Sequence, residues 1–198
     1  MTELGIWKPL DPAAAAEVFR TMDAPWWIAG GWAIDAFIGR KTREHGDLDV
    51  GILRRDQLKA QAQLALWDLQ AADPPGKLRP WRHGETLPLT VQDVWCRPSP
   101  ESAWGLQLML DEAEGDEWEY RRNRAVHRPV ESLTWQDAKG VPYLAAEVQL
   151  LYAAARLSPK HEQDFAACRP LLSAVQAGWL ATALRLAHPG HPWIEGLS

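Results

Sequence analysis

The sequence predicts an α/β (α+β) protein in which a mixed sheet flanked by helices is followed by a small C-terminal helical bundle. Two patterns carry that expectation. Up to about residue 140, short stretches with period-two alternation interleave with stretches of helical spacing and with turn formers. From Val141 onward the spacing is helical, interrupted only at Ser158-Pro159 and Pro170. A length of 198 residues suits one core, or a compact unit with a smaller helical one, and the expected division is 1–140 and 141–198.

In chain order, Asp11 before Pro12 and "AAAAEVFRTM" reads as an N-cap, a proline in the first turn and a helix. "PWWIA" reads as a short buried strand stopped by Gly30-Gly31, and "WAIDAFIG" as a helix ending at Gly39. After the polar "KTREHG", "DLDVGIL" alternates as a strand. "RRDQLKAQAQLALWDLQ" is expected to be one helix with Leu58, Leu64, Leu66 and Leu69 toward the core. "GKLRPWRHG", "LPLTVQDVWCR", "WGLQLMLDEAEG", "DEWEYRRN" and "AVHRPV" suit a mixed or antiparallel set of strands. The helices are expected from "YLAAEVQLLYAAARL" to the end.

Composition narrows the function. No apolar run approaches the roughly 20 residues of a membrane span, and the N-terminus lacks the basic start and apolar block of a signal peptide. A cytoplasmic location is the expectation. Cys96 and Cys168 lie far apart without metal-ligand spacing and read as free thiols. A net charge of −5 argues against broad nucleic-acid binding and is compatible with a cationic small molecule. The 12 tryptophans supply burial in a chain of modest size.

Asp47 and Asp49 stand two apart in the "DLDV" strand, so both carboxylates project from one face while Leu48 and Val50 turn inward. Such a pair suits magnesium, which takes one or two carboxylates together with water and phosphate oxygens. Gly30 and Gly31 sit where a strand gives way to a helix, a place where backbone N–H groups face outward and a missing Cβ lets phosphate approach. Singly, a glycine pair is a tight turn and D-x-D the start of a strand. Together they imply a nucleoside triphosphate held with magnesium.

The segment "GGWAIDAFIGRKTREHGDLDV" resembles the signature of the nucleotidyltransferase superfamily with the polymerase-β-like fold. The likeness is specifically to its antibiotic-modifying branch, the aminoglycoside 2''-adenylyltransferase and lincosamide nucleotidyltransferase type. Gly30, Gly31, Trp32, Asp35, Gly39, Thr42, Arg43, His45, Asp47 and Asp49 carry it, and "PKHEQDF", with Lys160, is similar to a segment opening the last helices of these enzymes. The resemblance implies transfer of a nucleoside monophosphate, AMP from ATP or the equivalent from another NTP, to a hydroxyl of a small molecule such as an aminoglycoside, with release of pyrophosphate. It implies two magnesium ions on Asp47, Asp49 and a third carboxylate from a neighbouring strand downstream.

Asp93 in "LTVQDVWCR" is the expected third carboxylate, as metal ligand or general base; an exposed strand aspartate is the alternative. Arg43 and His45 are expected at the phosphates, His45 with a structural role as its alternative, and Lys160 at the phosphates or simply on the surface. Asp35 is expected to brace the loop that follows it. "LDEAEGDEWEYRR" concentrates acid in a hairpin that either draws in a polyamine-like acceptor or is a solvated turn, the simpler reading. Glu147 and Tyr152 are placed where they could face the cleft between the two units. A toxin-type enzyme acting on RNA or protein, and a nucleotide-binding module without catalysis, are the alternative functions.

Overall fold

In the computed structural model, which describes residues 5–197, Asp11 Oδ1 accepts the N–H of Ala14 at 2.8 Å and caps α1 (Pro12–Phe19), with Pro12 in the first turn. Residues 1–4, part of the segment from which no signal peptide was expected, lie outside the described residues. β1 (Trp26–Ile28) runs directly into α2 (Gly30–Ile38), and Gly39 ends that helix with φ 81°, a left-handed conformation that glycine adopts without strain. β2 (Asp49–Leu53) follows, then a 3₁₀ turn at 54–56 and α3 (Gln57–Gln63). Eight further strands come next: β3 (Asp68–Ala72), β4 (Leu78–Pro80), β5 (Asp93–Arg97), β6 (Leu106–Glu114), β7 (Glu117–Glu119), β8 (His127–Pro129), β9 (Thr134–Gln136) and β10 (Pro142–Leu144). The chain closes with α4 (Ala146–Ala154), α5 (Pro159–Cys168) and α6 (Ala174–Ala187).

The sheet has the order β4-β3-β5-β6-β2-β1-β10-β9, with β7 and β8 continuing from β6. It is mixed: β2 pairs with β6 and β1 with β10 in parallel, and the other pairs are antiparallel. Leu48, Val50 and Ile52 alternate inward at 0% exposure, and Leu106, Leu108 and Leu110 alternate inward on β6 at no more than 1%. The opposite faces of these two strands hold polar groups. α2, α4 and α5 pack on one another, and α6 packs on α4. Among the described residues no helix is long and apolar enough to cross a membrane. Cys96 and Cys168 are buried free thiols, as the spacing implied.

Three local expectations differ from the structure. α3 ends at Gln63, Leu58 and Leu66 are exposed, and Leu69 is buried on β3 instead. The helix buries Gln57 and Gln61 because their amides bond the backbone of the 82–87 loop: the Oε1 atoms accept from Leu87 and Gly84, each at 2.7 Å, and Gln61 Nε2 donates to the Arg82 carbonyl. Second, Tyr143 and Leu144 belong to β10 of the sheet, so the first C-terminal helix starts at Ala146 and not at Tyr143. Third, Asp47 precedes β2, which begins at Asp49.

Candidate active site

Gly30 opens α2 with φ 65°, and a Cβ placed on it would lie 2.5 Å from Asp49 Oδ2. The glycine therefore makes room for the carboxylate itself. Ala29, the N-cap, supplies no side-chain cap, and the Gly30 N–H donates to Oε1 of Gln149 on α4 at 2.7 Å. One of the N–H groups expected to face phosphate is thus already paired.

Gly31 has a matching reason. A Cβ there would meet Arg43 Nη2 and His45 Nδ1, each at 2.5 Å. Both side chains belong to a chain of bonds across the loop after α2. Asp35 accepts the Thr42 N–H at 3.0 Å and the Thr42 hydroxyl at 2.5 Å through Oδ1, and its Oδ2 is 2.5 Å from His45 Nε2. Arg43 Nη1 lies 3.1 Å from His45 Nδ1, and Arg43 Nη2 lies 3.3 Å from Asp164 Oδ2 on α5. A guanidinium only donates, so His45 Nδ1 is the acceptor and its Nε2–H points at Asp35. Burial pushes the Asp35 carboxyl up, but the bonds from His45 and Thr42 outweigh it and hold the group below its ordinary range. Asp35 braces the loop, as its position implied. His45, with a side chain 2% exposed, is the buried centre of the same network.

A cleft of about 120 Å³ is lined by Gly30, Gly31, Arg43, Asp47, Asp49 and Lys160. Of the residues singled out in the sequence, all of the phosphate-side group except His45 meet here. Lys160, in the first turn of α5, pairs with no carboxylate among the described residues, and Arg43 Nε is buried without a partner. Burial, then the charges of Asp47 and Asp93, push the Asp49 carboxyl up to about 7, with Lys160 opposing them. Lys160 offsets the mutual repulsion of these carboxylates only in part.

Across Gly30, Asp49 and Gln149 lies a second cleft of about 150 Å³, lined also by Met109, Asp111, Arg121, Arg122 and Tyr152. Asp111 is 6% exposed and accepts the Tyr152 hydroxyl. Burial raises its carboxyl, with that bond and the charge of Arg121 opposing. Tyr152 thus faces the cleft. Glu147 does not: it is buried between Arg128 Nη1 at 3.0 Å and Gln176 Nε2 at 2.9 Å, tying α4 to α6.

Asp93 is not on a strand beside β2. β6 lies between, because the chain re-enters the sheet parallel to β2 and pairs Asp49 with Gln107 and Leu53 with Asp111, which leaves β5 one strand further from β2. Asp93 pairs with Met109 and shares the polar face, but its Oδ2 accepts from Gln107 at 2.6 Å and Trp95 at 3.1 Å, and it lines neither cleft. Asp111 occupies the neighbouring strand. A signal was present in "LQLMLDE": Gln107, Met109 and Asp111 alternate against three leucines, so a carboxylate falls on the face that β2 gives to Asp49.

A family model for aminoglycoside-2''-adenylyltransferase matches residues 13–166. The chain belongs to the aminoglycoside-2''-adenylyltransferase family. Membership makes it one of a family of nucleotidyltransferase enzymes. It is 50% identical over 42 residues to a 2''-aminoglycoside nucleotidyltransferase of Klebsiella pneumoniae and, over the same length, to one of Escherichia coli. These matches take in 20% of this chain and only about a quarter, 24%, of each relative. The fold resembles that of ANT(2'')-Ia in complex with adenylyl-2''-tobramycin, with TM-score 0.50 and 18% identity over 87% of this chain and 92% of that one. It also resembles the lincomycin-bound lincosamide antibiotic adenylyltransferase LnuA, with TM-score 0.54 and 16% identity over 81% of this chain and 95% of that one. These likenesses agree with the polymerase-β-like fold expected for members of the aminoglycoside-2''-adenylyltransferase family.

Proposed function

We propose that the chain transfers a nucleoside monophosphate, AMP from ATP, to a hydroxyl group of a small molecule and releases pyrophosphate. The observation that carries this reading is the meeting of two clefts at Asp49, one bearing Arg43 and Lys160, the other Asp111 and Tyr152. A triphosphate calls for cationic donors on its side of the reacting phosphorus, and a hydroxyl calls for a base on the other. The antibiotic ligands named for the two structural neighbours are consistent with a hydroxylated acceptor. A reaction that consumes ATP accords with a cytoplasmic location.

Magnesium fits the donor set. Asp47 and Asp49 carry poorly compensated negative charge, and among the described residues no group of three or more His, Cys, Asp or Glu side chains is arranged to hold a metal alone. Ions held by these two aspartates, with phosphate oxygens and water as the remaining ligands, would neutralise charge on the phosphates and make the acceptor hydroxyl more acidic.

The protein's own residues do the rest. Arg43, kept in place by His45 and Asp164, and Lys160 bind the phosphates. Asp111 takes the acceptor's proton as its oxygen bonds to the α-phosphorus; the bond from that phosphorus to the bridging oxygen breaks, and pyrophosphate leaves with the electron pair. Tyr152 orients the Asp111 carboxylate. Asp93 adds its charge to the field at Asp49 from one strand further out.

The test is incubation with labelled ATP, magnesium and a panel of hydroxylated small molecules, followed by mass spectrometry. An acceptor heavier by one nucleoside monophosphate, with pyrophosphate released in equal amount, is expected. ATP binding without transfer to any acceptor would leave only the nucleotide-binding module.

A further inference from the structure

The second cleft is lined by two arginines, and its carboxylates are Asp49 and Asp111, both committed to the reaction. Arg121 donates to the neutral Gln92 Oε1 at 3.0 Å and lies 5.5 Å from the Tyr152 ring. Arg122 lies 5.8 Å from the Tyr120 ring, with its Nη1 3.5 Å from the Tyr120 hydroxyl. Neither forms a salt bridge with a carboxylate among the described residues. Two guanidinium groups beside aromatic rings, without a salt-bridge partner even though the charge of Arg121 also reaches Asp111, suit an oxyanion, which accepts from such forks in pairs.

In the acidic hairpin β6–β7, the other feature that bears on a polycation, four of the acids already face basic side chains from outside the hairpin. Glu112 pairs with Arg54 at 2.6 Å, Glu119 with Arg124 at 3.3 Å, Glu117 with His127 at 3.2 Å and Asp116 with Arg55 at 3.7 Å. The shallow cleft that continues past Arg121 is lined by Glu112 and Glu119, two of these paired groups, together with Arg124. A polyamine entering here would meet Arg121 and Arg124, and the two carboxylates of this cleft, Glu112 and Glu119, already hold arginine partners.

Taking the nucleotidyl-transfer reading as given, we propose that the acceptor is a hydroxylated small molecule carrying an anionic oxyacid group, phosphate or carboxylate, bound by Arg121 and Arg122, and that a polycationic aminoglycoside is a poor substrate. The arginines lie across Asp49 from Arg43 and Lys160, so the acceptor and the triphosphate have separate cationic anchors.

The experiment measures pyrophosphate release with saturating ATP and magnesium, and binding by calorimetry, for glucose 6-phosphate, glucuronate, glucose and kanamycin; the first two distinguish phosphate from carboxylate. Either anionic probe is expected to bind and react better than glucose, and kanamycin worst. Arg121→Gln and Arg122→Gln should each raise the Kd and KM of the anionic probe roughly 10- to 100-fold, the scale of a charged hydrogen bond, with the KM for ATP changed by less than about twofold. Arg121→Lys should recover part of the loss, which separates recognition from a general folding defect. Kanamycin as the best binder or acceptor overturns the proposal, as does failure of both anionic probes to bind. Variants that raise KM for ATP alone also overturn it, assigning the arginines to the nucleotide. Arginine-dependent binding of the anionic probe without transfer upholds the site and removes the nucleotidyl-transfer reading instead.

Discussion

The backbone N–H of Gly30 and the side-chain carbonyl of Gln149 meet at 2.7 Å, joining the first turn of α2 to α4 across 119 residues of sequence. The bond holds Gly30 at its positive φ beside Asp49, where any Cβ would collide with the carboxylate. Gly30→Ala should therefore lower stability by about 1–2 kcal/mol from the left-handed backbone alone and reduce transfer by more than about tenfold. Gln149→Ala, which adds no bulk, should cost roughly 1 kcal/mol and raise the KM for ATP. Urea melts and steady-state kinetics on the two variants check both numbers.

Asp49→Asn separates catalysis from stability. Loss of the carboxylate proposed to hold magnesium should cut kcat by at least about a thousandfold, several kcal/mol of transition-state stabilisation. The fold should be no less stable. The folded-state carboxyl is raised to about 7 from 3.8, so the ionised group opposes folding, and wild-type stability is lost as the pH rises through that interval. The variant lacks this loss. Its melting temperature relative to wild type should increase from pH 4 to pH 7, and a constant difference would contradict the crowding of charge at Asp49.

Asp111 and Asp93 are told apart by paired variants. Asp111→Asn should depress kcat about 10²–10⁴-fold, the usual contribution of a general base, while leaving the KM for ATP within a few-fold of wild type. Asp93→Asn, whose carboxylate is already bonded to Gln107 and Trp95, should lose less than about tenfold. The reverse ranking would return the base to β5.

His45→Ala should act at a distance from the chemistry. It leaves Asp35 Oδ2 and one side of Arg43 without their imidazole partner, a loss of about 1–3 kcal/mol. Denaturant midpoints measure that loss, and a higher KM for ATP with little change in kcat would mark Arg43 as the affected contact.

Much of the phosphate side was legible because its logic is local. A strand, two glycines, a helix and a second strand lie within one short segment, and the alternation of Leu48 and Val50 against Asp49 survives in the fold. What escaped depends on partners distant in sequence. Leucine spacing promised a longer α3, but Gln57 and Gln61 take the inner face by bonding a loop that no periodicity reveals. β10 was hidden in an alanine-rich stretch that reads as helix until Tyr143 is seen paired with Ile28 and Trp135. Asp111 was masked by the acids that follow it, and only the strand order, with β6 beside β2, singles it out.

α4 bonds α6 through Glu147, the start of α2 through Gln149 and Asp111 through Tyr152. All three contacts are made by a helix that begins only at Ala146. On the ribosome, the sheet strands and every proposed catalytic aspartate emerge before it. A nascent chain that has just released β10 carries the complete carboxylate set yet lacks the wall shared by both clefts. Competence for the proposed reaction arrives only after the sheet is complete, with a helix that carries none of the proposed catalytic carboxylates.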